Sequence, residues 1–221
     1  MTTGTEAGTA SPRPRGGGRG GRRGSYAKSA ETRVAILDAA LEVFAEGGYR
    51  GGSLKSVAAK VGMSEAGLLH HFPSKAMLLA AVLERRDELS FEYVPLEATD
   101  GTEVLVGLVR LARFNAHRRG IVDLYCTLSA EATSKDHPAH DYFVERYAWT
   151  RHTLGRSFAN LEERGLLRDG VEAPWATAAI IALMDGLQVQ WLMDPESVDM
   201  ADSLLEFLGT ITRADLSAAA A

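Results

Sequence analysis

The sequence predicts an all-α protein: an N-terminal three-helix helix-turn-helix DNA-binding domain followed by a larger helical domain. Three observations lead there. From residue 32 onward, apolar residues recur at intervals of three and four, the period of an amphipathic helix. No segment sustains the strict alternation of a half-buried strand. And residues 54–72, LKSVAAKVGMSEAGLLHHF, meet the demands of two short helices joined by a tight turn.

The elements follow in chain order. Residues 1–24 are mostly Gly, Thr, Pro, Ser and Arg with no apolar period. The tract RPRGGGRGGRRG cannot bury a core, so an Arg/Gly-rich basic arm is expected to be disordered over residues 1–28. It is either a solvated tail or an arm that follows DNA phosphates or enters a minor groove. A helix-turn-helix domain is then expected over 29–75. Its first helix carries Val34, Leu37, Leu41 and Phe44 and ends at Gly47-Gly48. Ser53 caps a second helix that runs to Val61.

Ala58 supplies the small side chain that two steeply crossing helices need, and Gly62 supplies a positive backbone angle at the turn. Val57, Val61, Met63 and Leu68 fall where the helices bury apolar groups against each other. Ser64 caps the third helix, which lasts to His71 and is stopped by Pro73. The last helix of such a unit normally lies in the DNA major groove. An αα-hairpin that binds nothing is the competing reading of these same features.

Ser74 caps a helix containing Met77, Leu78, Ala81 and Val82, and five further helices are expected. Leu105, Leu108, Leu111 and Phe114 mark one; others cover about residues 121–132, 140–164, 175–193 and 198–212 by the same periodicity. The larger domain spans 76–215, and a flexible tail is expected over 216–221.

Charge supports the division. The chain of 221 residues has a net charge of −5, which is unusual for a DNA binder. Residues 1–75, however, hold 11 Lys/Arg against 6 Asp/Glu, whereas the remainder holds 13 against 23. A basic N-terminal part attracts phosphates, and an acidic remainder orients the molecule away from them. The single cysteine, Cys126, allows no intrachain disulfide, and no signal-peptide core precedes residue 30, so a cytoplasmic location is expected. The apolar stretch at 175–193 is interrupted by Asp185, Gln188 and Gln190, which argues against a membrane span.

On the third helix the outward residues Glu65, Ala66, Gly67 and His70 are the candidates for base edges: Glu65 for a cytosine amino group, Ala66 for a thymine methyl, His70 for a guanine or a phosphate. Gly67 permits close backbone approach. Phosphate contacts are expected from Ser53, Lys55, the amides capped by Ser64, and Lys75. Tyr49 reaches a phosphate or packs under the first helix; Lys60 is read as solvated.

The run DHPAHD at 136–141 has two histidines three apart between acids, but a polar interhelix loop accounts for it and no metal is assigned. No cofactor motif or catalytic pairing appears, and Cys126 reads as a small buried hydrophobe, so no enzymatic activity is expected.

The stretch ILDAALEVFAEGGYRGGSLKSVAAKVGMSEAGLLHHFPSKAMLLAAVL resembles the DNA-binding domain of the TetR/AcrR family of bacterial transcription regulators. Gly48-Tyr49, Ser53, Val57-Ala58, Gly62-Met63-Ser64 and, above all, the run HFPSK at 71–75 carry the resemblance. It implies a homodimer in which the larger domain binds a small-molecule effector and provides the dimer interface, and in which His71 and Phe72 pack the hinge. Leu69 stands where the family often has a phosphate-contacting tyrosine, so that contact does not transfer.

Candidate effector contacts are Phe91, Phe114, Tyr125, Trp149, His152, Gln188 and Trp191, aromatic and polar residues sharing helices. A stripe of small residues, Ala178, Ala179, Ala182 and Gly186, with Leu204, Leu208 and Ile211, is the candidate dimer seam, internal packing being the alternative. The expected function is a ligand-responsive repressor on a palindromic double-stranded operator. Two other readings stay open: a nonspecific nucleic-acid binder driven by the arm, and a helical small-molecule-binding protein with an incidental helix-turn-helix.

Overall fold

In the computed structural model, residue 1 and residues 21–95 and 97–219 are described, with backbone alone at 21–28 and 50. The described residues form nine α-helices and no strand beyond an isolated bridge between Leu167 and Thr212. They are α1 (Gly21–Gly51), α2 (Leu54–Val61), α3 (Glu65–His71), α4 (Lys75–Phe91), α5 (Gly101–Ala116), α6 (Arg119–Glu131), α7 (His140–Glu163), α8 (Ala173–Met193) and α9 (Met200–Ile211).

The expected helices are all present, with ends displaced by a few residues. α1 starts at Gly21, so residues 21–28, assigned above to the arm, are helical in their backbone. Residues 2–20 of that arm lie outside the described residues. The Gly47-Gly48 stop survives as a kink: Gly48 has φ 67° inside α1.

Two apolar cores form. The first joins Ile36, Leu41 and Phe44 of α1 to Val57, Leu68, Phe72 and Leu78–Leu83, and it extends to Leu124, Leu128 and Phe143 of α6 and α7. This core therefore does not divide at residue 75, the boundary expected from the sequence: α1 also packs on α6. The second core is built from α5, α7, α8 and α9, with Leu105, Phe158, Leu161, Ile180 and Leu204 fully buried. α8 is long and apolar enough to cross a bilayer by length and composition. Its Ala176, Ile180, Leu187 and Trp191 are nevertheless buried among α6, α7 and α9, as in a core helix.

The C-terminus corrects an expectation. Of the flexible tail expected over 216–221, residues 216–219 are ordered instead: Leu216 and Ala219 are buried and a short 3-10 turn covers Ser217–Ala219, while 220–221 lie outside the described residues. Arg110 and Arg113 of α5 donate to the carbonyls of Ala218 and Ala219.

Candidate nucleic-acid interface and ligand cavity

Local chemistry builds the α2–α3 unit. The Ser53 hydroxyl accepts from the Ser56 amide at 3.0 Å and the Ser64 hydroxyl from the Gly67 amide at 3.1 Å, satisfying N–H groups that a helix start leaves free. Ser74 does the same for α4 through the Met77 amide at 3.1 Å. Between α2 and α3 the chain turns at Gly62, φ 76° and ψ 30°, with the Met63 amide closing on the Ala58 carbonyl at 2.9 Å. Val57, Ala58 and Leu68 are buried at the crossing, while Val61 and Met63 are half-buried. Leu68 faces inward, which leaves Glu65, Ala66, Leu69 and His70 exposed and Gly67 half-buried.

The cations near this surface are not equivalent. Lys55 is exposed. Lys60, expected to be solvated, is exposed, and its Nζ lies 2.6 Å from Glu42 in a surface ion pair between α2 and α1. Lys75 Nζ sits 4.4 Å from the centre of the Tyr49 ring, and burial lowers its ammonium below the usual lysine value. Tyr49 in turn lies edge-on to Phe44 at 6.0 Å and to His137, of the α6–α7 loop, at 6.0 Å. Phe72 is buried with the Arg33 guanidinium 4.3 Å over its ring, a contact that fixes the α3–α4 turn to α1.

Two features here escape a reading of the sequence. Gly52 is buried beside Phe44, where an added Cβ would fall 2.4 Å from the Phe44 ring. Arg33 gives no signal of its own beyond its place one turn before Leu37 on the same helix face. His137 and His140 are taken up locally, by the Ala139 amide at 3.2 Å and the Ala132 carbonyl at 2.8 Å, and no metal-holding cluster occurs among the described residues.

Behind α4 lies a small cleft, about 80 Å³ in volume and partly open to solvent, walled by α4, α5, α6, α7 and α8. Of the seven candidate effector contacts, Phe91, Tyr125, Trp149 and Gln188 line it. The other three do not. Phe114 stacks on Tyr93 at 4.2 Å, and Trp191 is buried in the second core with Arg119 at 5.7 Å. His152 lines not the cleft but an adjoining groove that shares Phe91, Val94, Trp149 and Thr153 with it.

Around the cleft stand polar groups that the sequence does not single out. Asp87, which does not itself line the cleft, is buried beside the lining residues Arg86 and Arg146; it accepts from Arg86 Nη1 at 3.2 Å and from the Tyr142 hydroxyl at 2.7 Å, with Arg146 Nη2 at 3.4 Å. Tyr147 donates to Asp185 at 2.7 Å. Burial pushes the Asp185 carboxyl above its usual range and pushes the hydroxyls of Tyr142 and Tyr147 up as well. Cys126 is half-buried 4.0 Å from Gln188, and desolvation drives its thiol up to about 11, so it stays protonated and unreactive at neutral pH.

The candidate dimer seam splits. Leu204, Leu208 and Ile211 are buried in this chain's own core, which corrects the seam expected for α9: its apolar face is consumed by α5 and α8. Ala178 and Ala182 are exposed and Gly186 half-exposed, on a face of α8 shared with exposed Trp175, Val189 and Met193.

Two family descriptions match the chain: bacterial regulatory proteins of the tetR family over residues 36–82, and the C-terminal domain of BetI-type transcriptional repressors over residues 108–213. The HTH-type transcriptional regulator TtgR of Pseudomonas putida is 27% identical over 198 residues, covering 81% of this chain and 89% of TtgR. The HTH-type transcriptional regulator RutR of Escherichia coli is 44% identical over 64 residues, 29% of each chain. Among solved structures, a putative transcriptional regulator from Saccharomonospora viridis in complex with choline superimposes with a TM-score of 0.70 at 25% identity, over 84% of this chain and 100% of that one.

Proposed function

The chain belongs to the TetR family of bacterial regulatory proteins, and from that premise we propose a division of labour among its parts as a DNA-binding, ligand-responsive transcriptional repressor. Residues 29–75 read DNA, and the helices beyond, to residue 215, bind an effector and a second copy of the chain. α3 enters the major groove, where Glu65, Ala66, Gly67 and His70 meet base edges. Ser53, Lys55, Ser64, Lys75 and Tyr49 hold phosphates and set the register. Two copies on a palindromic operator make the reading selective, since seven residues of α3 without Arg or Lys cover too few bases alone. The copies meet along the α8 face of Trp175, Ala178, Ala182, Gly186, Val189 and Met193, whose spacing keeps one side of a helix. The working compartment is the cytoplasm, where the operator is. No catalytic step enters this reading.

One observation carries it. α4 is a single helix that begins with Lys75 beside the reading unit and ends with Arg86, Ser90 and Phe91 in the cleft wall, about 25 Å away. A ligand that moves the far end of α4 moves the near end too. An effector that binds the non-reading state about 10⁴-fold better, worth roughly 5.5 kcal/mol, converts full occupancy into full release. The Saccharomonospora viridis regulator, in complex with choline, supports a place for a small organic molecule in a chain of this fold.

Selection of tight binders from a random duplex library tests this function. The expected outcome is an enriched inverted repeat whose halves lie one or two helical turns apart. Enrichment of no sequence would remove the repressor reading in favour of a nonspecific binder.

A further inference from the structure

We propose that the effector is a small organic anion, a carboxylate carried on an aromatic body, and that Arg86 and Arg146 receive its charge. The proposal rests on the reading of the cleft as the effector site.

The aromatic surfaces of the cleft are already faced by fixed cations. The Arg86 guanidinium lies 4.1 Å from the centre of the Tyr125 ring, and that of Arg146 lies 5.1 Å from Trp149 and 5.5 Å from Phe91. A cationic ligand seeking those rings would meet two arginines, both lining the same cleft. The arginines are also under-compensated. One carboxylate, Asp87, serves both of them and the Tyr142 hydroxyl. Arg86 is 7% exposed, and the Nε atoms of Arg86 and Arg146 are buried without a hydrogen-bond partner among the described residues. A buried guanidinium N–H left unmatched is costly, and a ligand carboxylate would remove that cost.

The carboxylate that does line the cleft, Asp185, does not supply the missing charge. It accepts from the Tyr147 hydroxyl at 2.7 Å and, among the described residues, from neither guanidinium. Apolar surface for the aromatic body comes from Leu108, Leu111, Ile181 and Met184, beside polar Asn115, Thr153 and Gln188, with the Phe91 and Trp149 ring centres 5.1 Å apart and each residue 39% exposed.

Calorimetric titration of the full chain with three probes sharing one aromatic body decides the matter: 1-naphthylacetate, its neutral amide, and the corresponding naphthylmethyl trimethylammonium ion. The expected result is at least tenfold tighter binding of the acid than of the amide, and weaker binding still of the ammonium ion. Arg146→Gln should narrow the acid's margin severalfold while leaving the amide unchanged. If that variant fails to fold, the acid–amide comparison on the unaltered protein still decides. An amide equal to the acid, an ammonium ion that binds best, or a margin that survives in folded Arg146→Gln overturns the proposal, and so does the absence of saturable binding of all three at millimolar concentration. Ile181→Trp, which fills the cleft, separates the two levels. Should it abolish binding of the amide or the ammonium ion while the acid holds no advantage, the cleft stands as a ligand site and only the anion is wrong. Should probes bind Ile181→Trp undiminished, the cleft itself is not their site.

Discussion

The Tyr147 hydroxyl donates to the Asp185 carboxylate at 2.7 Å, pinning α7 to α8 at the wall of the cleft. Burial holds that carboxyl above its ordinary range, so the folded protein keeps the Asp185 proton to a higher pH than the unfolded chain does. The resulting stabilisation is fully present below the ordinary carboxylate value of 3.8 and is lost as pH rises through the raised folded value. Asp185→Asn keeps an acceptor for Tyr147 without a charge to bury. Its stability relative to the unaltered protein should therefore improve from about pH 4 toward about pH 7, read by thermal melts across that range; a constant difference would refute the shift. Tyr147→Phe leaves the acceptor unmatched and should cost about 1–3 kcal/mol.

Gly62 is the turn on which the α2–α3 angle depends. A Cβ there meets nothing within 4 Å, so Gly62→Ala should register only the backbone penalty of the left-handed conformation, about 1–2 kcal/mol in denaturant unfolding. Gly52→Ala has the opposite origin. Its new Cβ strikes the Phe44 ring and crowds the Gly48 carbonyl oxygen at 3.1 Å, so its cost is steric.

Lys55 and His70 should separate position from specificity. Lys55→Ala removes an exposed cation from each copy, leaving stability within about 0.5 kcal/mol while weakening all duplexes alike and lowering the salt slope by about 0.9 per copy, about 1.8 for the dimer. His70→Ala should relax sequence preference at one position per half-site with little change in that slope. Anisotropy titrations on operator and random DNA at several salt concentrations read both effects.

The α8 face and the α9 core should respond differently to substitution. Ala182→Glu places a charge on an exposed helix face and should yield folded monomers in sedimentation experiments. Leu208→Ala opens a hole in the second core, where Leu208 is fully buried, and should cost about 2–5 kcal/mol in thermal or denaturant unfolding. Monomers that retain palindrome binding, or an Ala182→Glu dimer, would count against the seam.

Much of this organisation is readable in the residues. Ser53, Ser64 and Ser74 mark three helix starts, because a capping hydroxyl is a local device and leaves a local signature. The inward face of α4 is also legible: Leu78, Val82, Arg86 and Ser90 stand four apart, so Arg86 lies on the apolar stripe, although its charge invites a solvent reading. Which neighbour claims an apolar face cannot be read. Leu204, Leu208 and Ile211 carry the same pattern whether α5 or a second copy covers them, and Phe114 and Trp191 look like cleft residues until α5 and α8 are packed. Arg146 and Asp185 are distant in sequence, and only the crossing of α7 and α8 brings them to one cleft.

The most direct measurement is fluorescence anisotropy of the full chain on labelled duplex from upstream of its own gene, at about 0.15 M salt, with unlabelled random duplex in excess. A sequence-selective repressor should bind saturably at nanomolar concentration despite the competitor. Loss of binding to the same extent on every labelled sequence would contradict it, leaving electrostatic attraction as the sole source of affinity.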